Sequence, residues 1–391
     1  MKVNIKNLKW YGRNFDYKGV RYFDYSCSGF EFCFTGKKAV ATILSDPNKQ
    51  KKTERGIIGV YVTELSDPSK YKGSSFWENF PDSKDFEPVR IELTKEENEC
   101  LLFESPVEKT VVIKVLKLSE CAFGMAGLKK LDIKGSLRPL RPLRPLRQAQ
   151  GPQGPQGPQE AQGAGALHAP RIEFIGDSIT CGYGIEGVWE KDTFCTGQQR
   201  PDKSYAFLTA QALGAEFQFC SWSGIGIISN YTDPATVMLP ETQWLMPACW
   251  PYTDKSGQLR LKLEPEVWDQ ARFSPDIVVI NLGTNDTSWV RGLEDRRLAY
   301  VAGLRQLIEA VHRRSPKAKI CCCLGIMGQE LCDSVKEACK LFSKDFPSVP
   351  VKAVKFDLQK EEDGIGADWH PSAVTHKKAA KKLTAALREW C

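Results

Sequence analysis

The chain has 391 residues, 42% of them hydrophobic, and carries a formal net charge of +6. That length and apolar content exclude a disordered chain and point to two domains with sizeable cores. The small, dispersed charge excludes a nucleic-acid groove as the main binding surface, and no run of 18 apolar residues is present to span a membrane.

The opening stretch, "MKVNIKNLKWYGRNFDYKG", lacks the apolar centre of a secretory leader. As written, the chain reads as cytoplasmic; a secreted or periplasmic location is expected if a leader has been trimmed away. Short β-rich runs follow ("GFEFCFTG", "AVATILS", "RGIIGVYVTE", "FEPVRIEL", "KTVVIKVLKLSE"), separated by Gly, Pro, Asn and Asp clusters. This rhythm predicts an antiparallel β-sandwich of jelly-roll type over residues 1–136. Such a module can bind sugars or serve as a packing partner for a second domain, and both readings stay open.

Residues 137–170 break every periodicity. "LRPLRPLRPLRQ" and "GPQGPQGPQ" combine a residue without a backbone donor with one without a side chain, so they read as a polyproline-like linker or inserted loop. Three GPQ triplets are too few for a collagen helix, which also needs three chains.

From 171 onward the pattern alternates between strand and helix. Nearly continuous apolar runs at 171–175, 215–220, 276–282, 317–324 and 349–356 predict parallel strands buried on both faces. Between them, Tyr205, Leu208, Ala212 and Leu213 share one helical face, and Leu298, Val301, Leu304, Leu307, Ile308 and Val311 form a longer stripe. "CDSVKEACKLFSK" and the terminal "SAVTHKKAAKKLTAALREW" are further helices. The fold class is therefore α/β, a three-layer domain with a parallel sheet over 171–391, with its site beyond the carboxyl ends of the strands.

Small and polar residues collect at those ends. Gly176-Asp177-Ser178 follows the first strand, "CSWSGIGI" with Gly224 and Gly226 the second, and "LGTND" with Asn285 the third, while "GADWHPS" sets His370 before the terminal helix. This set suits acyl transfer from an ester. A hydroxyl needs a base to take its proton as it attacks, the role expected of His370 toward Ser178. The amides of Ser178 and Gly224 and the side-chain NH2 of Asn285 are the expected donors to the oxyanion, with Gly226 an alternative to Gly224.

These four blocks resemble those of the SGNH (GDSL-type) hydrolases. The longer wording "IEFIGDSITCGYG", "VVINLGTND" and "DWHPS" behind a β-sandwich is similar to the family-two carbohydrate esterases, whose members remove acetyl groups from xylan and other acetylated sugars. The resemblance implies a serine esterase acting on an acetylated carbohydrate without cofactor or metal. One position departs: the Asp usual three residues before the His is Ala367, leaving Asp368 as the nearby carboxylate. Residues i and i+2 of an extended segment project alike, so Asp368 is the candidate third member, with a backbone carbonyl such as that of Trp369 as the alternative.

Among the remaining residues, Trp289 is the expected sugar platform, with Trp369 a second substrate-binding aromatic; Trp222, Trp244, Trp250 and Tyr252 are also placed near the mouth. His168, His312 and His376 read as surface residues, and Asp286 as a local brace for its loop. Cys181 reads as buried, and the consecutive Cys321, Cys322 and Cys323 as reduced thiols inside a strand. A lipid or thioester acyl hydrolase would want a long apolar channel, whereas the loop at 229–272 is rich in Trp, Pro and charge. A non-catalytic sugar-binding protein is the rival from another class, disfavoured by retention of all four blocks. Oligomeric state is not legible.

Overall fold

The computed structural model describes residues 1–46, 48, 51–67, 69, 71, 73, 75–80, 87–138, 169–233 and 239–391. The first part forms one antiparallel sheet of β1 (Lys9–Tyr11), β2 (Phe15–Tyr17), β3 (Val20–Tyr22), β4 (Gly29–Ser45), β5 (Ile57–Glu64), β6 (Val89–Glu92), β7 (Glu97–Lys117) and β8 (Ala126–Arg138). Its order is β2-β3-β8-β4-β7-β5-β6, with β1 paired to β4. The long strands β4, β7 and β8 slip register between Gly36 and Lys38, and such bulges bend a strand. The sheet therefore curls over a core of Phe30, Phe32, Phe34, Ile58, Ile113 and Val115, which gives the expected sandwich its shape.

Strand β8 runs through Leu137 and Arg138, so the first two residues expected in the linker continue the sheet. Residues 139–168, the rest of the Pro/Gly/Gln tract apart from Ala169 and Pro170, lie outside the described residues.

The second part is a parallel sheet of β9 (Arg171–Gly176), β10 (Glu216–Ser221), β11 (Ile277–Asn281), β12 (Lys319–Leu324) and β13 (Val351–Lys355), ordered β10-β9-β11-β12-β13. Its helices are α1 (Ser178–Cys181), α2 (Tyr205–Leu213), α3 (Met246–Cys249), α4 (Lys255–Arg260), α5 (Thr284–Val290), α6 (Glu294–Arg314), α7 (Cys332–Asp345) and α8 (Ala373–Leu387). Strands β9 to β12 are buried on both faces, as continuous apolar runs require. Strand β13 is only half-buried because it forms the sheet edge, where Lys352 and Lys355 are tolerated. All fourteen cysteines are free thiols, with Cys321, Cys322 and Cys323 inside β12.

Two helical faces depart from expectation. In α6 the stripe holds from Val301 to Val311, but Leu298 is exposed and Tyr300 takes the buried place nearest the sheet, donating its hydroxyl to Leu282 O at 2.8 Å. In α2 the buried face is Tyr205, Ala206, Phe207, Thr209 and Ala210, while Ala212 is exposed. The cause is tertiary: Phe76 of the first part packs against Phe207 and Phe217, so this helix is covered from a direction its own periodicity does not announce.

Candidate active site

Register sets the site. Gly176 pairs with both Ser221 and Asn281, so β9, β10 and β11 end level and discharge their following residues at one edge. A side chain at Gly176 would meet Thr180 Oγ1 at 2.0 Å, so only glycine lets the chain turn straight from strand into α1. Asp177 caps that helix through a 3.0 Å bond from the Ile179 N–H, and burial pushes its carboxyl up to about 7. Ser178 thus opens α1 at the end of the sheet with only 6% of its surface exposed.

His370 Nε2 lies 2.8 Å from Ser178 Oγ, and His370 Nδ1 lies 3.0 Å from the main-chain carbonyl of Asp368. A carbonyl can only accept, so Nδ1 carries the proton and Nε2 is left to accept from the serine hydroxyl. Burial draws the imidazole down to about 4, against the opposing pull of Asp368, so the ring is neutral at pH 7.

The carboxylate of Asp368 does not face the imidazole. It accepts the Tyr183 hydroxyl at 2.8 Å instead. The extended geometry on which the carboxylate expectation rested is absent: Asp368 sits at φ 50, ψ 43 and Trp369 at φ 62, both left-handed. Two such non-glycine residues cost on the order of 1–3 kcal/mol each. The surrounding bonds hold them, from Gly366 N to His370 O (2.8 Å), Ala367 N to Gly184 O (3.0 Å) and Gln359 Nε2 to Trp369 O (2.7 Å). The result is a main-chain carbonyl aimed at the ring. Tyr183, which carried no role in the sequence reading, also places its ring 4.3 Å from that of His370 and stacks on Phe194 at 3.8 Å. Its only signal was its position in "CGYG", five residues after the serine.

The three candidate oxyanion donors follow the ends of β9, β10 and β11: Ser178 at the start of α1, Gly224 in the loop after β10, and Asn285 in the first turn of α5. Among the described residues, the N–H groups of Ser178 and Gly224 have no acceptor, and a side chain at Gly224 would meet nothing within 4 Å. Gly226 differs, since its N–H donates to Asn230 Oδ1 at 3.0 Å and space for a side chain is closed by Ser229 O. Asn285 is buried and gives one Nδ2 proton to Ile225 O at 2.8 Å, which leaves the second proton of that group. Asp286 braces not its own segment, as expected, but the loop after β10, accepting the N–H groups of Ile227 (2.9 Å), Ile228 (2.8 Å) and Ser229 (3.2 Å) from its place in α5.

The aromatic residues divide. Trp369 is 36% exposed and meets the equally exposed Trp189 edge to face at 4.3 Å. Trp289, the expected platform, is half-buried against the core with the Arg296 guanidinium 4.6 Å over its ring, a partner on the next helix that no local pattern reveals. Trp250 is fully buried, and Trp222 and Trp244 are half-buried with rings 6.0 Å apart. His376 is also fully buried rather than superficial: its Nδ1 accepts the Tyr205 N–H at 3.0 Å, and burial draws it down to about 3. His312 is half-buried against Phe342 and Phe346, and His168 lies outside the described residues. Cys181 is buried, with its thiol raised by burial and 3.2 Å from Ser221 Oγ. Among the described residues no group of three His, Cys, Asp or Glu side chains is arranged to hold a metal.

The chain is similar to several known proteins. The cellulase/esterase CelE of Acetivibrio thermocellus is 36% identical over 222 residues, covering 56% of this chain but only 25% of CelE, so the chain spans a quarter of that relative. An acetylxylan esterase / glucomannan deacetylase of Cellvibrio japonicus is 26% identical over 307 residues, 77% of this chain and 73% of that protein. A family two carbohydrate esterase from Clostridium thermocellum, solved in complex with cellohexaose, superposes with a TM-score of 0.74 at 28% identity, over 98% of this chain and 100% of that one. Residues 174–378, more than half of the chain and including Ser178, Gly224, Asn285 and His370, match the GDSL-like Lipase/Acylhydrolase family, and the chain belongs to that family.

Proposed function

We propose that this protein is a serine esterase that removes O-acetyl groups from acetylated oligo- or polysaccharides of the xylan type. The 2.8 Å approach of Ser178 Oγ to the unprotonated nitrogen of His370 carries the reading. His370 takes the hydroxyl proton as Oγ attacks the acetyl carbonyl, and the Asp368 carbonyl steadies the imidazolium that results. The amides of Ser178 and Gly224 and the remaining Nδ2 proton of Asn285 receive the oxyanion. Collapse of the tetrahedral intermediate passes the proton from His370 to the departing sugar oxygen; water, deprotonated by the same ring, then attacks the acetyl carbonyl, and the ring returns that proton to Ser178 Oγ as acetate leaves.

A carbohydrate alcohol is favoured by the relatives, named acetylxylan esterase / glucomannan deacetylase and a carbohydrate esterase bound to cellohexaose. The exposed rings of Trp189 and Trp369, one residue from His370 in the second case, offer aromatic faces to a sugar. The test compares acetate release from an acetylated xylo-oligosaccharide with hydrolysis of short and long-chain aryl esters. Preference for the long chain would replace this reading with a lipid acyl hydrolase.

A further inference from the structure

Glu120 lies in the first part of the chain, between β7 and β8, and has no place in the mechanism above. It is fully buried, yet one oxygen of its carboxylate accepts two bonds from Ser223, the N–H and the Oγ–H, each at 2.7 Å. Its backbone is fixed on both sides, the N–H by Gln199 Oε1 at 3.1 Å and the carbonyl by Lys117 Nζ at 2.8 Å. The carboxylate also lies against the Cys181 thiol, on the helix that Ser178 opens. Burying a carboxylate is costly, and burial pushes this one up. An apolar side chain would fill the place more cheaply unless the two Ser223 bonds are required.

Ser223 immediately precedes Gly224, and the need arises there. Gly224 sits at φ 77, nothing lies within 4 Å of where a side chain would be, and among the described residues its N–H has no hydrogen-bond acceptor to fix its direction. Its carbonyl is held by the Tyr231 N–H at 2.8 Å, and its N-terminal neighbour by Glu120. An oxyanion donor works only if it is aimed beforehand.

We propose that Glu120 is a positioning residue: by clamping Ser223 it aims the Gly224 amide, so the curled sheet takes part in the chemical step of the other half. This rests on the acyl-enzyme reading above. The test uses the full chain with Glu120→Ala, Glu120→Gln and Ser223→Ala, and reads kcat and KM on a short aryl ester, the affinity of a boronic acid that forms a tetrahedral adduct, and the melting temperature. Glu120→Ala should lower kcat about 10- to 100-fold, with boronate affinity falling in parallel and KM within about 2-fold. Glu120→Gln keeps an oxygen able to accept both bonds and should stay within about 5-fold of the parent. A folded Glu120→Ala with parental kcat and boronate affinity would overturn the proposal. If Glu120→Ala does not fold, Ser223→Ala decides: a loss of kcat and boronate affinity at unchanged melting supports the clamp, and no loss overturns it. Ser178→Ala in parallel separates the two ideas, since activity surviving there removes the acyl-enzyme reading, whereas a dead Ser178→Ala beside a fully active Glu120→Ala removes only the clamp.

Discussion

His370 Nδ1 donates to the main-chain oxygen of Asp368 at 3.0 Å, while the carboxylate of the same residue is engaged 2.8 Å away by Tyr183. The orienting group of the base is therefore part of the backbone and survives replacement of the side chain.

Asp368→Asn should accordingly lower kcat/KM by no more than about 5-fold, against the roughly 10⁴-fold loss seen when a true triad carboxylate is neutralised. Steady-state kinetics on a short aryl ester measures this. A loss of several thousand-fold would return the carboxylate to the chemistry.

Ser178→Ala and His370→Ala should each lower kcat by at least about 10⁴-fold, and the double variant should be little worse than either, because the two act as one unit. Melting temperatures close to the parent would show that the loss is chemical.

Asn285→Ala should lower kcat about 10²- to 10³-fold with a smaller change in KM, as removal of one oxyanion donor does. The substitution also frees Ile225 O, so the melting temperature is measured beside the rate.

Acid should affect rate and stability in different windows. His370 must be neutral to accept a proton and is held at about 4 by burial, so kcat/KM should fall only as pH drops through about 4, not through the usual 6.5. His376, held at about 3, lowers stability by another route. The unfolded chain binds a proton there near 6.5 and the native chain does not, so stability present above 6.5 drains away as pH falls toward 3. In His376→Asn, melting temperature plotted against pH should be flatter across that window than in the parent.

Much of the second half could be read from the residues because its signals are local. Parallel strands buried on both faces leave apolar runs, and the turns that follow leave glycines and small polar groups, so Ser178, Gly224, Asn285 and His370 stand out one block at a time. Positions decided by distant partners stay silent. Trp289 gives no sign that Arg296 will cover it, nor α2 that Phe76 will bury its other face. Asp368 is silent for another reason. Its carbonyl meets the imidazole because Asp368 and Trp369 are both left-handed, and composition cannot announce a conformation held by neighbours.

Arg13, near the start of the chain, reaches into the second sheet, where its guanidinium donates to Glu173 on β9 at 2.7 Å and to the carbonyls of Trp250 and Tyr252; Glu173 also accepts from Gln218 at 2.8 Å. Both members of the ion pair are wholly out of water. Severing the halves would strand an anion in an inner strand of the parallel sheet, a defect worth about 3–5 kcal/mol. The molecule should consequently melt in one calorimetric peak, and the catalytic half expressed by itself should be a poor folder.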